Sequence, residues 1–370
     1  MIEAARSTLE WLAAPPRRYR RGETAPVRRG LRLPPPSVHT VRADDGVELR
    51  LTRYQGGSRG PVVLSHCVGV SSRMYLVEAQ QTTLTEYLVE QGFDVWLLDH
   101  RLSIELRASQ FSSTMDDVAR RDYPAAVAAI REVAGAPSVQ VVAHGIGSST
   151  FTMAMLAGLQ GVRAAVCSQV STHIDVPVLN DVKVRARMAE TLSAFGARTF
   201  DVYTDGESGW PSRILDRATR LYPIAVEERC LNPVCHRISM LYGELYEHDR
   251  LGEGVHDSLH ELFGIANLAL LSQLGKMTRA GHVVDEHGRD AYLPHLDRLN
   301  LPIAFLHGSD NQCVLPRSTR VTYDLLSQRF GAQQYARHEI EGYGHVDCMI
   351  GEHADRDVFP LVLEHLARSA

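Results

Sequence analysis

The sequence predicts an α/β protein in which a mainly parallel, doubly wound sheet carries an inserted helical cap. Three observations predict it. Short apolar, β-branched runs alternate with helical spacing, the pattern of strands buried on both faces. That rhythm is interrupted once, over residues 171–295, by amphipathic segments rich in His and Tyr. It also contains a strand that breaks into a small-residue turn and then a helix, over residues 138–149. Three zones follow: an arm over 1–36, a core over 37–170 and 296–370, and a cap over 171–295.

The chain has 370 residues, enough for one large domain with an insertion. Its 44% hydrophobic and 22% charged content is ordinary for a globular enzyme. A net charge of −5 offers no basic field for nucleic acid or anionic lipid. All but two of the 39 basic residues are arginine. Six cysteines are too few for a disulfide scaffold, so buried free thiols are expected, with a Cys230–Cys235 pair as the alternative. No apolar run reaches the roughly 18 residues of a membrane span. STLEWLAA is too short and too polar for a signal-peptide core, so a cytoplasmic protein is the default expectation.

Seven arginines and six prolines in the segment PPRRYRRGETAPVRRGLRLPPPS rule out a regular element there and predict an arm over the domain surface. Residues 38–54 read as a β-hairpin turning at Asp44-Asp45-Gly46. PVVLSH (61–66) is a buried strand, a helix is expected around 77–91, and FDVWLLDH (93–100) is a second buried strand. Residues 115–134 have helical spacing, with Pro124 kinking the helix or marking a new start. Then come the strand of the turn motif, a helix over about 148–160 and a strand over 162–170. LPIAFLHG (301–308) and QYARHEIEG (334–342) close the sheet, with helices around 316–330 and 355–368. In the cap, leucines recur at helical spacing over 258–276. They predict either an apolar tunnel wall or plain packing of the cap onto the core.

Three landmarks carry chemistry. SVQVVAHGIGSS has the shape of a nucleophile elbow, in which a strand turns into a helix around an attacking Ser or Cys flanked by small residues. The flanks are Ala143 and Gly147; the apex is Gly145, which has no side chain. HGSDNQCVLP (307–316) is an acidic turn after a strand, where Asp310 is the expected acid and Asn311 its rival. GYGHVD (342–347) places His345, the expected base, in a glycine-rich loop after the final strand. The order nucleophile, acid, histidine is that of the α/β-hydrolases. Backbone N–H groups of Val68 and Ile146 are the expected oxyanion donors. Cys67 and His144 are the expected substrate-contacting side chains, Cys67 as a wall rather than a nucleophile. Ser148 and Ser149 lie too far into the helix to replace residue 145. His256 and His260, with Glu261, have the spacing of a metal pair but no third ligand, so a solvated helix is expected and no metal.

GFDVWLLDHR (92–101), MDDVARRDYPAAVAAI, VVAHGIGSSTF (141–151) and GYGHVDCMIGEHADRDVFPLVLEHL (342–366) together resemble the α/β-hydrolase superfamily, and more closely its acid-lipase-like branch. The block 232–264 is similar to bacterial members found beside, or fused to, cholesterol-oxidase-type flavoproteins. The resemblance spans about 38–368. It implies ester or thioester hydrolysis, or acyl transfer; the apolar helical faces over 258–276 add the expectation of a hydrophobic acyl substrate, and no cofactor is expected. It also implies a nucleophile at position 145, where this chain has glycine. A homodimer and a functional association with a flavin oxidoreductase are further expectations. Three readings of Gly145 stay open: a hydrolase whose nucleophile was removed, a noncovalent lyase or cyclase using His345 as base, and a binding protein that keeps the pocket.

Overall fold

A computed structural model of the chain describes residues 8, 10–20, 23–25, 28–205 and 207–368. Eight strands form one sheet. Ser37–Arg42 (β1) and Glu48–Gln55 (β2) make the hairpin; Pro61–Ser65 (β3), Asp94–Asp99 (β4), Val139–His144 (β5) and Val162–Ser168 (β6) follow. Thr199–Asp201 (β7) and Ile265–Asn267 (β8) pair separately inside the cap, and Ile303–Gly308 (β9) and Tyr335–Ile340 (β10) complete the main sheet. Its order is β1-β2-β4-β3-β5-β6-β9-β10, antiparallel at the β1-β2-β4 edge and parallel elsewhere. Every residue of β3, β4, β5 and β9 is buried, because helices cover both faces and leave no solvated side for alternation. Among the described residues no helix is long and apolar enough to cross a membrane.

The departures from sequence expectation are local. The helix expected over 77–91 begins only at Leu84, where Thr83 and Glu86 form a reciprocal capping box. Pro124 does mark a new start: the segment winds into a π turn over Val118–Asp122 before the helix Tyr123–Ala134. The apolar stretch over 258–276 is two helices, Glu253–Leu262 and Leu268–Ala280. β8 separates them, and the Asn267 side chain caps the second by accepting the Ala269 and Leu270 N–H groups.

The arm, over its described residues, ties cap to core. Trp11 Nε1 donates to the Cys230 carbonyl at 2.8 Å, and Arg17 pairs with Asp257. Tyr19 is buried and stacks on His260 at 4.1 Å between ring centroids. Arg29 then pairs with the fully buried Glu86 of the core. The helix Glu253–Leu262 is therefore covered by the arm, not solvated as its charge pattern suggested.

Candidate active site

The site forms where the strand order reverses, at the carboxyl ends of β3 and β5. Parallel register sets Ser65 opposite Ala143, so the residues two further on, Cys67 and Gly145, leave the sheet side by side. Gly145 has φ 55° and ψ −126°, the strained conformation of an elbow apex, and caps the helix Ile146–Ala157. That helix packs tightly against β3: a Cβ on Gly147 would lie 2.5 Å from the His66 carbonyl oxygen.

The sulfur of Cys67 fills the space beside Gly145. A Cβ built on residue 145 would lie 2.4 Å from Cys67 Sγ and 2.9 Å from His345 Nε2. Cys67 Sγ is 3.5 Å from the Ile146 N–H and 4.0 Å from His345 Nε2. Burial pushes the Cys67 thiol up, with the Ile146 and Val68 N–H groups pulling the other way. The two expected oxyanion donors thus surround the sulfur. Cys67 lines the cavity, and its sulfur occupies the space that a side chain at 145 would need.

His345 is buried, and its backbone N–H, like that of Val346, donates to the Leu245 carbonyl at 2.8 Å. Its orienting partner is Asn311, not Asp310. Asn311 closes a turn onto the Gly308 carbonyl and points inward, fully buried, with Nδ2 3.0 Å from His345 Nδ1. Asp310 is exposed, and its carboxylate accepts from the Ser309 hydroxyl at 2.7 Å. The amide orientation of Asn311 is fixed by its neighbours. Its Oδ1 accepts from the Cys313 and Val314 N–H groups at 2.9 and 3.0 Å, and its Nδ2 also donates to Gln169 Oε1 at 2.9 Å. Nδ2 therefore donates to His345 Nδ1, and a neutral imidazole carries its proton on Nε2, facing the sulfur. Burial, with His144 and His307 nearby, holds His345 well below the usual histidine range, so it is neutral at pH 7.

His144 does not meet its expected role. It is buried behind His345, with ring centroids 5.0 Å apart, and its Nδ1 lies 3.1 Å from the Ser168 hydroxyl. Desolvation pushes it down to about 3. The hydroxyls of Ser148 and Ser149 donate to the Val170 and Ser171 carbonyls, as helix residues turned from the apex.

An apolar cavity opens over this cluster, and Val68, Ile146, Leu262, Phe263 and Leu274 are among its walls. A second cavity shares Ile174, Tyr242, Leu274, Cys313 and Val314 with it and extends between cap helices toward Lys183 and Glu190. Leu262 and Leu274 line the cavity over the site, whereas Leu259, Leu268 and Leu270 are packed in the interior. Tyr242 was invisible in the sequence. Its buried hydroxyl has no hydrogen-bond partner and borders both cavities, a polar group available to a ligand.

No protein-family model matches the chain. Similar solved structures include an esterase of Pyrococcus furiosus, 12% identical, with 94% of this chain and 97% of that one covered and a TM-score of 0.53. A monoacylglycerol lipase of Paleococcus ferrophilus is 15% identical, with 86% and 100% covered and a TM-score of 0.54. Two curated relatives align in sequence. Lipase 1 of Drosophila melanogaster is 26% identical over 126 residues, 31% of this chain and 28% of its own length. Triacylglycerol lipase 2 of Arabidopsis thaliana is 26% identical over 187 residues, 44% of each. This chain thus spans less than half the length of these two curated relatives. The fold is the α/β-hydrolase fold, with a helical segment over the site.

Proposed function

We propose that the protein processes hydrophobic ester or thioester substrates, with Cys67 rather than residue 145 as the acyl acceptor. The observation that carries this is the position of Cys67 Sγ, within reach of His345 and the Ile146 N–H at the floor of an apolar tunnel. In the reaction Sγ bonds to the acyl carbon, the bond to the leaving group breaks, and the thiol proton leaves with that group. Water or a second acceptor then cleaves the acyl–sulfur bond. The Ile146 and Val68 N–H groups are the donors for the developing oxyanion. Because His345 holds its own proton on Nε2, it is poorly placed to take one from the thiol. Substrates whose leaving groups depart without help, thioesters and aryl esters, are favoured over alkyl esters. The esterase and lipase activities named for the similar proteins fit this class of chemistry. A homodimer and a flavin oxidoreductase partner belong to the same proposal on the sequence resemblance alone.

A second reading has its own observation. The Asn311 orientation and the raised thiol support a site that binds an acyl chain without turning it over. Turnover of p-nitrophenyl esters and acyl thioesters of rising chain length separates the two. Catalysis predicts measurable turnover that Cys67→Ala removes, with kcat/KM rising about fourfold per methylene, the factor given by ~0.8 kcal/mol per buried CH₂. Binding without turnover, or turnover unchanged in Cys67→Ala, contradicts the catalytic reading.

A further inference from the structure

A second group of reactive side chains lies in the cap, outside the cavity. One ligand atom each from Cys230, Cys235, His248 and His256 gathers within 4.8 Å of the others. They come from four different stretches: the loop before the helix Pro233–Tyr242, that helix itself, the helix His248–Leu251, and the helix Glu253–Leu262. Cys235 Sγ is 3.7 Å from His248 Nε2, and the rings of His248 and His256 are 4.8 Å apart between centroids. Around a tetrahedral zinc, with bonds of roughly 2.0–2.3 Å, neighbouring ligand atoms stand about 3.3–3.8 Å apart. The cluster is within one small contraction of that geometry.

Two further features point to a cation. The Glu228 carboxylate accepts from His248 Nδ1, which fixes the ring so that Nε2 faces the sulfurs. A carboxylate behind a ligating histidine orients and strengthens the ligand. His256 Nε2 is buried with no hydrogen-bond partner, costly for a polar atom without a ligand. Both cysteines are free thiols, so the cluster is not a disulfide. Two thiolates and two imidazoles suit zinc and disfavour calcium or magnesium.

We propose that Cys230, Cys235, His248 and His256 bind one zinc ion as a closed Cys₂His₂ centre that holds the cap onto the His345 loop. Four protein ligands leave no open position, so the centre is structural. Its place in the chain gives it a function. Cys235 and His248 bracket the segment 236–247, which contains Tyr242 of the tunnel and Leu245, whose carbonyl takes the His345 and Val346 N–H groups. Glu247 N–H also donates to Asp347 at 3.1 Å. An ion fixed at both ends of this segment fixes the backbone that positions His345. His256 thus has the metal role its sequence context left unsupported, but with Cys230, Cys235 and His248. His260 is bound instead to the Asp257 and Glu23 carbonyls.

The test uses the full chain, purified under reducing conditions. Zinc by elemental analysis should be one equivalent. After stripping, cobalt(II) should bind one to one with the intense visible bands of a tetrahedral thiolate complex, and zinc should displace it while magnesium does not. Cys235→Ser should lose those bands, and Glu228→Gln should keep them with about 10–100-fold weaker metal affinity. Cobalt bound to the wild-type protein without thiolate bands, or bands unchanged in Cys235→Ser, would overturn the proposal. So would wild-type protein that takes up neither metal. None of these readouts involves ester turnover, so they stand or fall separately from the catalytic proposal.

Discussion

Cys67 and Gly145 form a matched pair of residues. A side chain at 145 would drive its Cβ into the Cys67 sulfur, and the backbone there has the positive φ that glycine tolerates best. Gly145→Ser or Gly145→Cys alone should therefore destabilise the fold by about 1–3 kcal/mol, read as a lower urea midpoint, without raising ester turnover. The paired exchange Cys67→Gly with Gly145→Cys removes the clash and should recover stability and activity together. Full activity from the single substitution would mean that Cys67 is not in the way. Asn311 sets the pH behaviour. Because the thiol is held above its ordinary value of 9.0 and His345 far below 6.5, Cys67 alkylation by iodoacetamide should climb steadily into alkaline pH, with no step near 6.5. Asn311→Asp supplies an acceptor for a proton on His345 Nδ1, which frees Nε2 to take the thiol proton. Its alkylation profile should move to lower pH, and an unmoved profile would count against the assigned tautomer. The sequence exposed the elbow and His345 because small residues and glycines mark tight turns. It did not expose the Asp310–Asn311 choice, because which of two adjacent turn residues points inward depends on where the turn closes.

At the level of elements, the strands were legible because their buried runs are unambiguous. The loops after β3 and β5 became a site only through register: Ser65 opposite Ala143 is what brings Cys67 to Gly145. No local pattern encodes that pairing. Helix starts depart from the sequence expectation where a cap decides them, as at Thr83. Thr83→Ala removes the hydroxyl that accepts the Glu86 N–H, and should cost about 1 kcal/mol by chemical denaturation. An effect under a few tenths would show that Arg29 and the surrounding packing, rather than the cap, hold that turn.

Across the whole molecule, the arm joins cap and core through residues far apart in sequence, and composition alone revealed only that it is irregular. Its anchor on the core is Glu86. Burial pushes that carboxyl up, but Arg29 and the Arg32 and Thr83 N–H groups outweigh it and hold the group at about 2, below the ordinary 4.5. A depressed carboxyl stabilises the fold above its unfolded value and loses that contribution as pH falls from about 4.5 toward 2. Hydrogen exchange over the Glu253–Leu262 helix should accelerate as pH falls through that window, after correction for intrinsic rates, and less so in Glu86→Gln. Acyl transfer at the Cys67 sulfur, two residues past β3, is the chemistry proposed for the site. It is tested most directly by incubating the protein with a long-chain acyl thioester, quenching in acid and mapping the adduct by peptide mass. One acyl group is expected, on Cys67, absent from Cys67→Ala. An acyl group on Ser148, Ser149 or Cys313 instead, or substrate consumed through the same pocket with no adduct at Cys67, would contradict it.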